Sequence, residues 1–243
     1  VPLGVSNRHL HVSLRDFETL FGAGKAPSVQ RMISQPGQFA AGETVTVRGP
    51  RGSLEGVRLV GPMRAATQLE LSPADCRALG ITAPVAASGR LDASGGGVSL
   101  EGPAGKVVLE RGVIVAQRHL HVAPADARRL GVADGDRVAV ACGPEGRRAA
   151  LHDVLVRSGP GHATELHLDV DEAHAVGVTS GDRANLLGRE RAPARRGRRP
   201  LLTEREVAAM AARGETVSAA GPWLLTPAAQ DRARALGIWR GDA

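Results

Sequence analysis

Residues 8–12 read Arg-His-Leu-His-Val, and the same five residues stand again at 118–122. On a β-strand, residues i and i+2 share a face about 6–7 Å apart. Imidazole is the commonest protein ligand for zinc and related ions, so each HLH is a two-pronged metal clamp. Leu10 and Val12 then face the other way, into a core. Aligning the surroundings adds a third ligand to each clamp. TQLEL at 67–71 matches TELHL at 164–168, which sets Glu70 against His167, each flanked by leucines that point the opposite way. The sets are His9, His11 and Glu70, and His119, His121 and His167. Three protein ligands with an open position is the pattern of a catalytic zinc site, and two duplicated sets point to two metals facing a shared cleft. A single HxH is ordinarily a surface or core-satisfied pair; six candidate ligands at repeat-equivalent places favour metal. Arg64, six residues before Glu70 and opposite Gly161 in the alignment, is placed for a guanidinium to grip phosphate or carboxylate beside the metals. His152, His162 and His174 have no partner spacing, and the first two read as surface residues.

The elements that carry these side chains are also written twice. RHLHVSLRDFETLFG from Arg8 and RHLHVAPADARRLGV from Arg118 each read as a short strand and an amphipathic helix that ends at glycine. TVTV and RVAV follow, with the period of two that marks strands, and GPxG turns close them. The residues at 57–81 and 154–178 then repeat a Val-rich strand, a GP turn, a ligand-bearing strand and a helix. This predicts a mainly β protein with capping helices, built as two pseudo-symmetric repeated small β-barrels. The halves fall at 1–92 and 93–188, with the opening strand near Val1 free to join the other half. An insertion at 23–40 distinguishes the first half, and a Gly/Ser-rich connection that adds strands of its own leads to the second. A basic Arg/Pro linker follows at 189–200, then a tail at 201–243 of two short helices with Thr or Thr-Pro starts and Gly stops.

Bulk composition excludes several classes. The net charge of +6 looks like a nucleic-acid signature, but Arg189–Pro200 holds six arginines against one glutamate, and the rest of the chain is nearly neutral. Three Phe, two Trp and no Tyr leave little to stack on bases, so the basic run reads as a solvated linker. No apolar run reaches the roughly 18 residues that cross a bilayer, and no charged-then-apolar leader opens the chain. The first residue is Val1 rather than Met, which leaves room for a start or targeting extension. Cys76 and Cys142 show no CxxC spacing, and a reducing cytoplasm is the default reading.

VPLGVSNRHLHVS, SQPGQFAAGETVTV, GPMRAATQLELS, RGVIVAQRHLHVAPADA and TELHLDVDEAH, in this order over about residues 1–185, closely resemble the phosphotransacylase family of catabolic bacterial microcompartments, the phosphate propanoyltransferases of propanediol degradation. The resemblance implies two barrels with helical caps, two zinc ions between them, and transfer of a short acyl group such as propanoyl or acetyl from acyl-coenzyme A to phosphate. It places one zinc on His9, His11 and Glu70, the other on His119, His121 and His167, and phosphate on Arg64. Coenzyme A contacts fall on Val5, Ser6, Asn7, Arg51, where the family often has Lys, and Arg58. His174 stands where the family commonly has Asn as a further contact. It also implies a cytoplasmic enzyme inside a microcompartment, a homodimer or higher homo-oligomer, with shell or lumen proteins as partners and no membrane or nucleic acid.

The chemistry suits these ligands. Phosphate near neutral pH is largely a dianion and attacks a thioester without a dedicated side-chain base, so positioning and charge control are what the protein supplies. The expected division of labour is one zinc for the leaving sulfur, with the second zinc and Arg64 for phosphate. Two rivals compete. A zinc-dependent hydrolase is opposed by Ser13 and Ala123, which stand where HxHxDH would need Asp. The other is a non-catalytic, metal-stabilised microcompartment module.

Overall fold

The computed structural model describes residues 1–190, 201–219, 221 and 223–241. The chain divides into two compact units, Val1–Glu190 and Arg191–Ala243. It is mainly β, with six helices among the described residues. Residues 191–200 of the expected basic linker lie outside the described residues.

In the first unit the elements run β1 Leu3–Ser6, β2 His9–His11, α1 Leu14–Phe21, β3 Val29–Met32, β4 Phe39–Arg48, β5 Ser53–Gly61, β6 Gln68–Leu71, α2 Pro73–Leu79, β7 Val85–Ala86, β8 Val98–Glu101, β9 Lys106–Leu109 and β10 Val113–Ala116. They continue with β11 His119–Val122, α3 Pro124–Leu130, β12 Arg137–Cys142, β13 Ala149–Ser158, β14 Glu165–Asp169, α4 Val170–Val176 and β15 Asn185–Arg189. One sheet has the order β7-β10-β6-β2-β5-β4-β8-β9, with β3 on β4; the other has the order β1-β14-β11-β13-β12-β15.

Six strands of each sheet correspond in order and direction. Each clamp strand, β2 or β11, runs antiparallel to its ligand strand, β6 or β14, and parallel to the strand on its other side, β5 or β13. The strand outside each ligand strand is parallel to it and is exchanged between the sheets. β1, which immediately precedes the first clamp, pairs with β14, whereas β10, which immediately precedes the second, pairs with β6. The chain therefore crosses from one sheet to the other just before each RHLHV.

Period-two patterning explains the burial. Val45 and Val47 of β4 and Val138 and Val140 of β12 are all within 2% of full burial. Each sheet closes its own apolar cluster, around Leu10, Phe17, Leu20 and Leu69 in one and Leu3, Leu120, Val154 and Leu166 in the other. Both ligand strands run straight into a capped helix. Ser72 and Asp75 form a capping box at α2, and Asp169 and Glu172 form one at α4. Such caps fix where the strand must stop.

The second unit reads β16 Leu201–Leu202, α5 Glu204–Ala212, β17 Val217–Ser218, β18 Leu224–Leu225, α6 Pro227–Ala235 and β19 Trp239–Arg240. Its helices begin after Thr203 and Thr226, as their sequence signals predict. Two parallel pairs, β16 with β18 and β17 with β19, are additions to that reading, because two-residue strands carry no legible period. Leu202, Val207, Met210, Val217, Ala229 and Ala233 form a separate core.

Candidate metal centres and active site

The ladders bring the predicted ligands face to face. His9 is directly opposite Glu70 in the β2–β6 pair, and His119 is directly opposite His167 in β11–β14. Two groups able to hold a metal ion stand out among the described residues, His9/His11/Glu70 and His119/His121/His167, each with its donor atoms within 4.8 Å of one another. In the first, Glu70 lies 3.6 Å from His9 Nε2 and 3.7 Å from His11 Nε2 through its two oxygens. In the second, His119 and His121 oppose Nε2 to Nε2 at 3.2 Å, and His121 Nδ1 is buried without a partner.

The surroundings keep four of these donors, His11, His119, His121 and Glu70, free of protons. Burial, reinforced by His9, pushes His11 down to about 3. Burial and His167 push His119 to about 4, and burial with His119 and His167 pushes His121 to about 2. Burial alone would raise Glu70, but His9, His11, the Ser88 hydroxyl and Arg64 together hold it below the usual carboxylate range. Neutral imidazoles and an ionised carboxylate are the forms that ligate metals. Glu70 also acts electrostatically on His119, so the two donor groups are near neighbours.

Arg64 stands beside Glu70, anchored by its backbone N–H on the Val12 carbonyl at 2.9 Å. Its Nη1 donates to Ser88 Oγ at 3.0 Å, and Ser88 Oγ donates to Glu70 at 2.5 Å. Gln68 accepts from Arg64 at 3.5 Å and from the Gly89 N–H at 2.7 Å. A second guanidinium, which sequence reasoning missed, comes from Arg157, directly opposite His121 on β13. Its charge lowers the proton affinity of Arg64, His121 and His162, and among the described residues no hydrogen bond or ion pair engages it. Arg64 thus feels two charges, the Glu70 carboxylate reached through Ser88 and the Arg157 guanidinium. The signal for Arg157 was its i+2 alternation within VLVRS, legible only once the β11–β13 register is known.

Other residues fall differently. His162 is not a free surface residue: its ring lies 4.3 Å from that of His121. His152 is exposed and paired with Glu190. Arg58 is opposite His9 in β2–β5 and donates to the Ala41 carbonyl at 2.7 Å. Val5 and Ser6 lie beside Leu168 and Asp169 on the exchanged strand, one residue past His167. Asn7 accepts from His9 Nδ1 through its carbonyl at 2.8 Å. Arg51 donates to the Arg77 carbonyl at the end of α2 at 3.0 Å. His174 is exposed on α4.

A family profile described as phosphate propanoyltransferase matches residues 2–179. A phosphate propanoyltransferase of Rhodobacter capsulatus is 51% identical over 179 residues, spanning 73% of this chain and 82% of the relative. Those of Salmonella typhimurium and Thermotoga maritima are each 47% identical, spanning 73% and 75% of this chain and 84% and 86% of the relatives. With relatives this similar over most of their length, the chain is a phosphate acyltransferase. It belongs to the phosphate propanoyltransferase family.

Proposed function

We propose that this acyltransferase moves a short acyl group, such as propanoyl or acetyl, reversibly between coenzyme A and phosphate, with His9, His11 and Glu70 holding one zinc ion and His119, His121 and His167 another. The observation that carries the metal reading is the recurrence of both donor sets at register-equivalent places. The unpartnered His121 Nδ1 and the opposed Nε2 atoms fit a pair of imidazoles arranged around a cation. Zinc bound at these donors would supply Lewis acidity to the thioester and to phosphate oxygens.

The chain's own groups do the positioning. Arg64, braced by Ser88 and Gln68, and Arg157 across the cleft receive the phosphate dianion between them. A phosphate oxygen attacks the thioester carbonyl; the new C–O bond forms, the C–S bond breaks, and the phosphate proton leaves with the coenzyme A sulfur. Coenzyme A contacts are proposed for Val5, Ser6, Asn7, Arg58 and His174. Arg51 is proposed with them, its guanidinium keeping free N–H donors beside the one it gives to Arg77.

The strand correspondence supports two repeat-related barrels, 1–92 and 93–188, that trade one strand each. Family membership supports a homo-oligomer working in the lumen of a bacterial microcompartment of the propanediol type, beside shell or lumen proteins. Among the described residues no helix is long and apolar enough to cross a membrane. An acyl phosphate assay with thiol detection, run over a panel of acyl-coenzyme A donors and paired with metal analysis, tests the reading. Activity that persists in a chain freed of metal overturns the zinc assignment.

A further inference from the structure

Each clamp and its ligand strand present four side chains on one face. In the first sheet these are His9 opposite Glu70 and His11 opposite Gln68; in the second they are His119 opposite His167 and His121 opposite Glu165. Glu165 thus holds the place of the neutral Gln68. Each face carries one carboxylate, at a different corner.

Three of the histidines are oriented alike. His9, His11 and His119 commit Nδ1 to the carbonyls of Asn7, Val60 and Gln117 at 2.8, 3.0 and 2.8 Å, which leaves Nε2 for a ligand. His167 is reversed: its Nε2–H donates to Glu165 at 2.7 Å, which leaves Nδ1. The Ser34 hydroxyl donates to the same carboxylate oxygen. Gly4 of the exchanged strand makes room, since a Cβ there would stand 3.0 Å from the Glu165 carboxyl carbon. Gln35, 1% exposed, fastens the segment by pairing both ends of its amide with the Ala163 backbone at 3.2 and 3.3 Å. Ser34 and Gln35 belong to the insertion that only the first half carries.

We propose that Glu165, steadied by Ser34, is the positioning residue that makes His167 an Nδ1 ligand of the second metal, and that the insertion exists in part to hold it there. A carboxylate on the far nitrogen of a ligating imidazole fixes the tautomer and ring angle and raises donor basicity, and losing such a partner costs about 10–100-fold in metal affinity. This rests on reading His119, His121 and His167 as a metal site.

The test uses the full chain and the ions themselves. Zinc affinities are measured by chelator competition, and ligand-field spectra are recorded with cobalt, for wild type, Glu165→Ala, Glu165→Gln and Ser34→Ala. The expected result is that Glu165→Ala weakens one of two ions by about 10–100-fold and alters its cobalt bands, with the other ion unaffected. Glu165→Gln, whose amide oxygen still accepts from Nε2–H, recovers much of the loss, and Ser34→Ala loses only a few-fold. Should Glu165→Ala fail to fold, the Gln and Ser34 variants decide. Two ions bound with unchanged affinity and spectra in Glu165→Ala and Glu165→Gln overturn the assignment alone. Loss in Glu165→Gln as deep as in Glu165→Ala also overturns it, making the carboxylate a direct ligand. A wild-type chain that binds no second ion overturns the metal reading and this inference with it.

Discussion

Ser88 Oγ links Glu70 to Arg64, donating to the carboxylate at 2.5 Å while it accepts from the guanidinium at 3.0 Å. One hydroxyl therefore ties the proposed phosphate grip to a proposed metal ligand. Ser88→Ala should loosen both together, raising KM for phosphate and lowering kcat by roughly tenfold, an effect of the size of one charge-assisted hydrogen bond. Phosphate titration of initial rates reads it, and unchanged kinetics would detach Ser88 from the site.

Arg64→Ala should cost far more, about 100-fold or greater in kcat/KM for phosphate, because a preorganised cation facing developing charge is removed. Arg64→Lys should recover only part, since a point charge lacks the planar fork. If Arg157 shares the anion, Arg157→Ala raises KM for phosphate as well, and the double variant shows a coupling energy in a mutant cycle.

The donor sets should be separable by metal analysis. Glu70→Gln is expected to lower zinc content by about one ion per chain and His167→Ala to lower it by about one at the other centre, as expected when one donor is taken from a three-ligand set. Loss of both ions from either change would mean a single shared centre.

Metal-free protein should also be acid-sensitive in a defined window. His11, His119 and His121 protonate in the unfolded chain near their ordinary value of about 6.5 but in the folded chain only near 3, 4 and 2. Their contribution to stability is complete above about 6.5 and falls as pH drops toward the folded values, each tenfold difference in proton affinity being worth about 1.4 kcal/mol. Urea midpoints measured in chelator from pH 8 to pH 4.5 should decline below about 6.5; a flat profile would contradict the neutral, buried imidazoles.

The two clusters of candidate donors were legible because HLH and TQLEL/TELHL are short, periodic and duplicated, so alignment alone set Glu70 and His167 beside the histidine pairs, where the structure also has them. Arg64 was legible for its place beside them. Arg157, Ser88, Glu165 and His162 were not, because each reaches a donor residue through a register or a loop that no local pattern encodes. Ser34 and Gln35 cross from one half to the other over more than a hundred residues of sequence, a contact that no local pattern in the insertion announces. Arg51 has a local partner that its turn did not announce, the carbonyl of Arg77 at the end of α2.

Leu3, 1% exposed, is the exchanged strand's anchor in the second apolar cluster. Leu3→Ala should destabilise the first unit by about 2–5 kcal/mol, as a buried leucine truncation does. The cobalt bands of the second centre should shift with it while those of the first hold. A melting curve and a spectrum separate that local effect from global loss.

The exchange of β1 and β10 has a historical reading as well. A half-length chain with a single RHLHV would lack a neighbour for its ligand strand unless it lent its first strand to another copy and received one in return. Such a chain would be a twofold dimer with one clamp per subunit and the cleft on its symmetry axis. Fusing two copies end to end would preserve that embrace while freeing the halves to diverge, so that one glutamate could become a histidine and one turn could acquire an arginine. Within one chain the exchange of strands is intramolecular, and the two donor sets it frames are not identical.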